Sequence, residues 1–302
     1  MKYLRLLRPA DWAKNLFVFA AVIFGGKLEG MFSDVFIAFA SAFGAFVCFS
    51  LAGSGIYVFN DIIDRFADKG HPLKSKRPIA SGQISPAQGM VLSVLCCLLG
   101  LGGAYLLSVK LFFVVGIYVL MMVLYSLVFK QIMILDCIII ALAFCLRAIA
   151  GAIAVGVLIS PWLIICTFSL CLFLGFGKRR CELAQLESAE ALNYRNTLAG
   201  YTPELLNHIL DVTSGIAVVC FLIYGMSERT LENFGSNNLV YTTPFVLYCV
   251  FRFSMLIQKG NYTGPVQIIW RDRAFQLGFV LWVLFCIGII YLGWDLSSLW
   301  SY

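Results

Sequence analysis

The chain has 302 residues, of which 61% are hydrophobic and 13% are charged, with a formal net charge of +6. A soluble domain carries roughly 45–50% apolar and about 25% charged residues, so this composition excludes a soluble globular protein. It indicates an integral membrane protein, and the apolar segments leave no room for a separate soluble domain. We therefore expect one integral-membrane domain over residues 1–302.

Nine apolar segments are long enough to cross a bilayer, which takes about 20 helical residues. They lie at about 11–28, 35–59, 87–107, 110–129, 132–156, 161–177, 205–226, 238–257 and 274–294. The first is the shortest in uncharged sequence, but no small-residue cleavage site follows it, so it is expected to be retained as a helix. The sequence predicts an all-α, polytopic membrane bundle of about nine transmembrane helices.

Basic residues are distributed unevenly between the two sides of these segments. Eighteen of the 22 lysines and arginines lie on one side, before the first segment, in alternate connections or near the segment ends that adjoin them. The other side has only Lys27, Lys110 and Arg229, and Arg147 lies within a segment. Such a bias places the N-terminus and the long polar loops in the cytoplasm, as in a bacterial-type inner membrane. The positive charge is therefore a topology signal, and nucleic acid is not an expected partner.

The segment NDIIDRFADKGHPLKSKRP, from Asn60 to Pro78, follows directly on an apolar span. Its aspartates, Asp61, Asp64 and Asp68, are spaced i, i+3 and i+7, which places them on one face of a helix. Together with Asn60 they offer the oxygen ligands that Mg²⁺ prefers. Basic residues, of which Lys74 and Arg77 are the strongest candidates, follow and suit a bound phosphate. The pattern predicts a magnesium diphosphate site; the alternative is a solvated loop whose charges cap a helix and fix the topology.

Eleven cysteines are scattered along the spans without a C-x-x-C pair, and the two histidines lie far apart in sequence. This arrangement does not favour a disulfide framework or a zinc site. Small apolar packing is the expected role of most of the cysteines.

The motif N-D-x-x-D-x-x-x-D, followed by K-R-P-I-A-S-G at residues 76–82, resembles the UbiA family of intramembrane prenyltransferases. The stretches LRPADWAKNLFVFA, LDCIIIALAFCLRAIAGA, GFGKRRCELAQLE and GPVQIIWRDRAF are similar to its decaprenyl-phosphate phosphoribosyltransferase branch, and these landmarks run from residue 7 to 275. The resemblance implies a magnesium-dependent transfer of 5-phosphoribosyl from phosphoribosyl diphosphate (PRPP) to a polyprenyl phosphate lipid. The active-site loops would be cytoplasmic, at about 60–86 and 178–203.

The loop between the sixth and seventh segments distinguishes the branches. Aromatic prenyltransferases of the family usually carry a second aspartate motif there, whereas residues 178–201 of this chain contain no aspartate. They offer Lys178, Arg179 and Arg195 together with Glu182. A phosphoribosyl transfer has more phosphate groups to hold, so this exchange of carboxylates for cations favours PRPP as the donor.

Further candidates lie in the spans. Arg147 is about 15 residues into the fifth segment, and a charge at that depth normally faces a polar cavity, so we favour a phosphate ligand over an arginine that snorkels or pairs with a carbonyl. Lys14 and Asn15 match the W-x-K-N pattern of the branch and are expected to contact phosphate from an opposite wall. Tyr118 and Tyr125 are possible substrate contacts, although tyrosines are also common at membrane interfaces for structural reasons.

The predicted function is thus PRPP-dependent phosphoribosyl transfer to a polyprenyl phosphate, with release of diphosphate. One alternative is a UbiA-type prenyltransferase that joins a prenyl diphosphate to an aromatic or other acceptor. A second alternative, from another class, is an anion or lipid transporter without turnover. The sequence leaves the lipid length and a homo-oligomeric state open.

Overall fold

The computed structural model describes residues 2–25, 32–70, 74–186, 200–260, 262 and 264–294. Within these ranges every regular element is an α-helix or a 3-10 helix. The chain forms two compact units, Met1–Ile159 and Ser160–Tyr302. The single domain expected over 1–302 stays a prediction.

The described part of the first unit carries seven α-helices and a long N-terminal 3-10 helix at Pro9–Phe19, here called the N-terminal segment. Shorter 3-10 turns lie at Lys74–Lys76 and Phe129–Gln131. The α-helices are α1 (Lys2–Leu7), α2 (Ala20–Phe24), α3 (Phe32–Ile63), α4 (Arg65–Lys69), α5 (Pro86–Leu107), α6 (Val109–Leu127) and α7 (Leu135–Val155).

In its described residues, the second unit contains six α-helices and one 3-10 helix, Asn238–Thr242. The α-helices are α8 (Pro161–Leu186), α9 (Pro203–Met226), α10 (Glu228–Phe234), α11 (Thr243–Gln258), α12 (Pro265–Arg271) and α13 (Arg273–Tyr291).

In the described residues, eight helical segments are long and apolar enough to cross a membrane. They correspond to eight of the nine predicted segments, and the all-α polytopic fold is confirmed. The predicted segment at 11–28 differs, because its described part is the N-terminal segment followed by the five-residue α2. At about 2.0 Å per 3-10 residue and 1.5 Å per α residue, these two elements together extend roughly 30 Å.

Helix packing follows the rule for membranes, where small residues face neighbouring helices and large apolar ones face lipid. The buried residues of α5 recur every three or four positions and are small: Gly89, Ser93, Cys96, Gly100 and Ala104. Large residues such as Leu98 and Leu106 are exposed on its other side. A Cβ on Gly100 would lie 2.7 Å from the Cys48 carbonyl oxygen, so α3 and α5 approach almost to backbone contact.

Local signals fix several helix ends. Ser85 begins α5 with a capping box, in which its hydroxyl accepts from the Gln88 N–H and the Gln88 side chain accepts from the Ser85 N–H. Thr202 caps α9 in a similar way, with Pro203 in the first turn.

α8 continues to Leu186, beyond the predicted end of its span at 177. Lys178, Arg179 and Glu182 therefore lie on a helix, where a loop beginning at 178 was expected. Cys181, also beyond the predicted end of the span, is fully buried in α8. All eleven cysteines are described and are free thiols, eight of them buried, as the packing interpretation expects.

Candidate active site

The three aspartates lie where α3 ends. α3 stops at Ile63, Asp64 forms a junction with φ −82° and ψ 0°, and α4 begins at Arg65. The helix that carries the three aspartates is therefore interrupted at Asp64. The spacing survives because helical hydrogen bonds cross the junction, from Asp64 N–H to the Asn60 carbonyl at 2.9 Å and from Asp68 N–H to the Asp64 carbonyl at 2.8 Å.

Arginines join the outer two carboxylates. Arg77 Nη1 lies 3.1 Å from Asp61 Oδ1 and 2.6 Å from Asp68 Oδ2, so one guanidinium bridges both aspartates. Arg8 Nη2 also contacts Asp61 Oδ1, at 2.6 Å. Asp61 and Asp68 are only 2% and 4% exposed, and charges this buried require such partners. Both arginines use Oδ1 of Asp61, which leaves Oδ2 outside these ion pairs.

The middle aspartate, Asp64, forms its ion pair with Lys130. Lys130 Nζ forms a short ion pair with Asp64 Oδ1 and lies 3.3 Å from Asn60 Oδ1. Asn60 Nδ2 in turn donates to Asp64 Oδ2 at 2.9 Å. The formal charges of the three aspartates and of Arg8, Arg77 and Lys130 cancel. We call these six residues, with Asn60, the aspartate cluster.

Sequence reasoning missed Arg8 and Lys130, which it counted only as topology charges. A positive φ, which non-glycine residues rarely adopt, occurs at or near each of these cations. Arg8 itself has φ 51°, and Ile134, just after the 3-10 turn that contains Lys130, has φ 66°. Such strain is typical of functional sites, where the surrounding contacts hold it in place. The position of Arg8 in the LRPADW stretch was the one sequence signal available.

Arg147 lies in a second, buried group on α7. Its Nε donates to Asn15 Oδ1 at 2.7 Å, Nη1 to the Ala143 carbonyl at 2.6 Å and Nη2 to the Tyr118 hydroxyl at 3.1 Å. The guanidinium also lies over the rings of Tyr118, Phe49 and Phe144. Within the described part of the chain, Arg147 forms no ion pair with a carboxylate.

Tyr57, one turn before Asp61, lies between the two groups. Its ring centroid is 5.4 Å from the Arg8 guanidinium and 5.4 Å from Lys14 Nζ, both within cation–π range. Lys14 Nζ also pairs with Asp11 Oδ1 at 2.6 Å and lies 3.4 Å from the Tyr57 hydroxyl. Lys14 and Arg8 of the aspartate cluster thus share the Tyr57 ring, and the contact of Lys14 with a phosphate stays a prediction.

Two other predicted residues of this unit, Lys74 and Tyr125, are also described. Lys74 is exposed at the start of its 3-10 turn, where its carbonyl accepts the Arg77 N–H. Tyr125 is half-buried on α6, two turns from Tyr118. Their substrate-binding roles stay predictions.

In the second unit, basic and acidic side chains pair along α8. Arg179 Nη1 lies 2.6 Å from Glu182 Oε2, and Lys178 Nζ lies 3.8 Å from Glu182 Oε1. These are the i,i+3 and i,i+4 spacings that face each other on a helix. Arg179 is buried, whereas the Lys178 side chain is half exposed. Arg195, the remaining predicted ligand, lies outside the described residues.

Asp272, in the stretch WRDR at residues 270–273, stabilises the local structure through its hydrogen bonds. Arg252 makes two hydrogen bonds to the Asp272 carboxylate, at 3.1 and 2.8 Å, and Asp272 Oδ1 also accepts the Phe275 N–H at the start of α13. The hydrogen bond from Arg252, with a smaller contribution from the Phe275 N–H, lowers the pKa of Asp272 below its usual value. Asp272 thus caps a helix while paired to an arginine.

The donor set of the aspartate cluster fits magnesium. Among the described residues, no group of three His, Cys, Asp or Glu side chains is arranged to enclose a metal ion by itself. Mg²⁺ does not require such a cage, because it usually takes one or two carboxylates and completes its octahedron with phosphate oxygens and waters. Asp61, Asp64 and Asp68 supply hard oxygen atoms, and the neighbouring cations suit the phosphate that a bound ion would share.

Fold and site together define a polytopic helical membrane protein that gathers carboxylates and cations at the end of a spanning helix. The UbiA prenyltransferase family matches residues 16–270. This chain belongs to that family and is an integral-membrane transferase.

Its relatives include the decaprenyl-phosphate phosphoribosyltransferase of Mycolicibacterium smegmatis, 31% identical over 93% of this chain and 89% of the relative. The Mycobacterium tuberculosis protein of the same name is 30% identical over 92% of this chain and 91% of the relative. Among solved structures, a UbiA homolog from Archaeoglobus fulgidus bound to DMAPP and Mg²⁺ has a TM-score of 0.69 and 20% identity, covering 96% of this chain and 99% of that one. At that identity the likeness concerns the fold.

Proposed function

We propose that this protein transfers 5-phosphoribosyl from PRPP to a polyprenyl phosphate and releases diphosphate. The observation that carries the proposal is the convergence of Arg8, Arg77 and Lys130 on three aspartates, which brings phosphate-binding cations and magnesium-binding oxygens into one cluster. Relatives about 30% identical over nearly the whole chain are named phosphoribosyltransferases. This supports PRPP as the donor over a prenyl diphosphate.

In the proposed reaction the bond between ribose C1 and the diphosphate oxygen breaks, and its electron pair leaves with the diphosphate. An oxygen of the lipid phosphate forms the new bond to C1. That phosphate is already an anion, so no strong general base is required. Arg8, Arg77 and Lys130 stabilise the negative charge that develops on the leaving diphosphate.

When bound, Mg²⁺ supplies Lewis-acid stabilisation of the diphosphate oxygens. Asp61, Asp64 and Asp68 would hold it, with Asn60 assisting. The arginines that now contact Asp61 and Asp68 are within reach of the same space, so they can bind phosphate oxygens while remaining near their carboxylates.

The other phosphates of the reaction have candidate ligands as well. PRPP carries a 5-phosphate and the acceptor carries a lipid phosphate, and Lys14, Lys178 and Arg179 are proposed to hold them, as is Arg195. The excess of basic residues on one side supports a cytoplasmic location of these groups, where PRPP is available. The lipid chain would lie among the apolar helices.

The test compares donors with one purified preparation reconstituted in liposomes. With Mg²⁺, ribose-labelled PRPP and a polyprenyl phosphate, label is expected in the lipid extract, and chelation of Mg²⁺ should abolish it. Lys110→Gln, on the opposite side of the membrane, is the matched control and should transfer at the parent rate. If PRPP is inert while a prenyl diphosphate reacts with an aromatic acceptor, the aromatic prenyltransferase reading replaces this one.

A further inference from the structure

Buried polar contacts fix the N-terminal segment to α3. Trp12 Nε1 donates to the Ser54 hydroxyl at 2.9 Å, and the same hydroxyl donates to the Leu7 carbonyl at 2.8 Å. Asn15 Nδ2 donates to the Ser50 hydroxyl at 3.0 Å. Ser50 and Ser54 are one turn apart on α3, so they hold the segment at two successive points.

α7 fixes the segment from a second direction. Arg147 Nε donates to Asn15 Oδ1, so the amide of Asn15 is held between α3 and α7. One turn further along α7, a Cβ on Gly151 would lie 1.9 Å from the Val18 carbonyl oxygen, which means that only glycine allows the backbones to approach so closely. Arg147 and Gly151 share one face of α7, and this face seats the segment.

The contacts of Arg147 are directed into the protein. Its side chain is 4% exposed, and each of its three nitrogens donates to an atom of this chain, on the N-terminal segment, α6 or α7 itself. Three aromatic rings surround it. A phosphate ligand needs donors that point to the ligand, whereas this guanidinium joins three helical elements.

The N-terminal segment and Arg8, the residue directly before it, place two cations near Asp61. The Leu7 carbonyl, held by Ser54, immediately precedes Arg8, whose unusual backbone conformation turns its side chain to Asp61. Lys14, the neighbour of Asn15, reaches the Tyr57 ring. Any shift of the segment therefore moves both cations with respect to Asp61.

We propose that Arg147 is a positioning residue: by holding Asn15, it fixes the N-terminal segment so that Arg8 and Lys14 lie at the diphosphate site. This inference replaces the predicted role of Arg147 as a phosphate ligand. It rests on the proposed function only in that the cluster binds a diphosphate. It is therefore tested with inorganic diphosphate and Mg²⁺, which a PRPP enzyme and a prenyl diphosphate enzyme would both bind.

The experiment is a double-mutant cycle on diphosphate affinity, measured by calorimetry with the full chain in detergent. Arg8→Gln is expected to weaken Mg²⁺-diphosphate binding about tenfold, the usual effect of losing one charge-assisted hydrogen bond. Arg147→Gln should weaken it at least as much, because it displaces both Arg8 and Lys14, and the double variant should be little worse than Arg147→Gln alone, because the contact of Arg8 is already lost there. Multiplying effects would show that Arg147 meets the diphosphate independently and would overturn the proposal.

Asn15 variants keep the proposal testable if Arg147→Gln does not fold. Asn15→Asp retains an oxygen acceptor for Arg147, so the segment stays held and affinity should remain within a few-fold of the parent. Asn15→Leu removes that acceptor and should reproduce the loss seen with Arg8→Gln. If Arg147 instead bound phosphate directly, the new carboxylate of Asn15→Asp would neutralise it and lower affinity, while Asn15→Leu would leave affinity unchanged; that pattern overturns the proposal.

Discussion

Arg77→Gln removes the one cation that bridges two carboxylates of the aspartate cluster. Arg77 contacts Asp61 and Asp68, and the latter has no other ion pair among the described residues. Losing the partner of a fully buried carboxylate costs about 3–5 kcal/mol, but the Arg77 side chain is 25% exposed and solvent screens the pair. We expect a loss of about 2 kcal/mol in stability, the value of a hydrogen bond between charged groups.

The effect of this substitution on turnover should be larger. A donor aimed at the charge that develops on a leaving group is worth about 3–4 kcal/mol, or roughly 10²–10³ in kcat. Initial rates of lipid labelling with saturating PRPP measure this loss, and thermal unfolding in detergent measures stability. Arg65→Gln is the matched control, because Arg65 also lies next to the cluster but donates only to the Ile62 carbonyl among protein acceptors in the described chain.

The double variant Arg77→Gln with Asp68→Asn separates the two effects. Removing the stranded carboxylate should restore most of the lost stability, whereas the transfer rate should stay low. If Arg77→Gln lowers the melting temperature but leaves the rate within threefold of the Arg65→Gln control, Arg77 only stabilises the fold and the reasoning is refuted.

Three further predictions follow from single contacts. Lys130→Met leaves Asp64 without its ion pair and should lower kcat/KM with PRPP by about 10–100-fold, the cost of one charged hydrogen bond; an unchanged value would exclude Lys130 from the site. Gly151→Ala places a methyl group against the Val18 carbonyl and should cost about 1–3 kcal/mol in thermal unfolding, as overpacking does; an unchanged melting temperature contradicts the close approach. Asp272→Asn should destabilise the protein only while the parent carboxylate is ionised. Because Arg252 lowers its folded pKa, the stabilisation is fully present above an unfolded pKa of about 3.9 and is lost as pH falls through the folded value, so melting curves of parent and variant should converge in acid; a constant difference would refute the pairing.

The sequence predicts the spanning helices well because an apolar run of about 20 residues has few alternatives in a membrane. It fails where length alone does not determine the structure. The region after residue 11 is apolar enough to span, but it folds as a 3-10 helix whose Trp12 and Asn15 side chains donate hydrogen bonds to α3. α8 continues past its apolar run because Glu182 pairs with Lys178 and Arg179 along the helix, which a hydropathy pattern does not register.

The candidate site, like the fold, could be predicted from the sequence only in part. The spacing of Asp61, Asp64 and Asp68 is local, so the sequence indicates that they share a face, and helical hydrogen bonding preserves this across the junction at Asp64. Arg8 is 53 residues from its partner Asp61, and Lys130 is 66 residues from its partner Asp64. A single sequence does not indicate which residues meet over such separations. Arg147 was recognised as unusual by its depth, but its partners decide whether it binds a ligand or holds a helix.

The most direct test of the central claim follows two labels of PRPP in one reaction with a polyprenyl phosphate and Mg²⁺. One radiolabel is on the ribose 5-phosphate and the other on the diphosphate. Phosphoribosyl transfer predicts that the 5-phosphate label enters the lipid extract while an equal amount of the diphosphate label is released into water as diphosphate, and that Arg77→Gln slows both together. Diphosphate label in the lipid, or neither label moving while Mg²⁺-diphosphate still binds, would contradict the account.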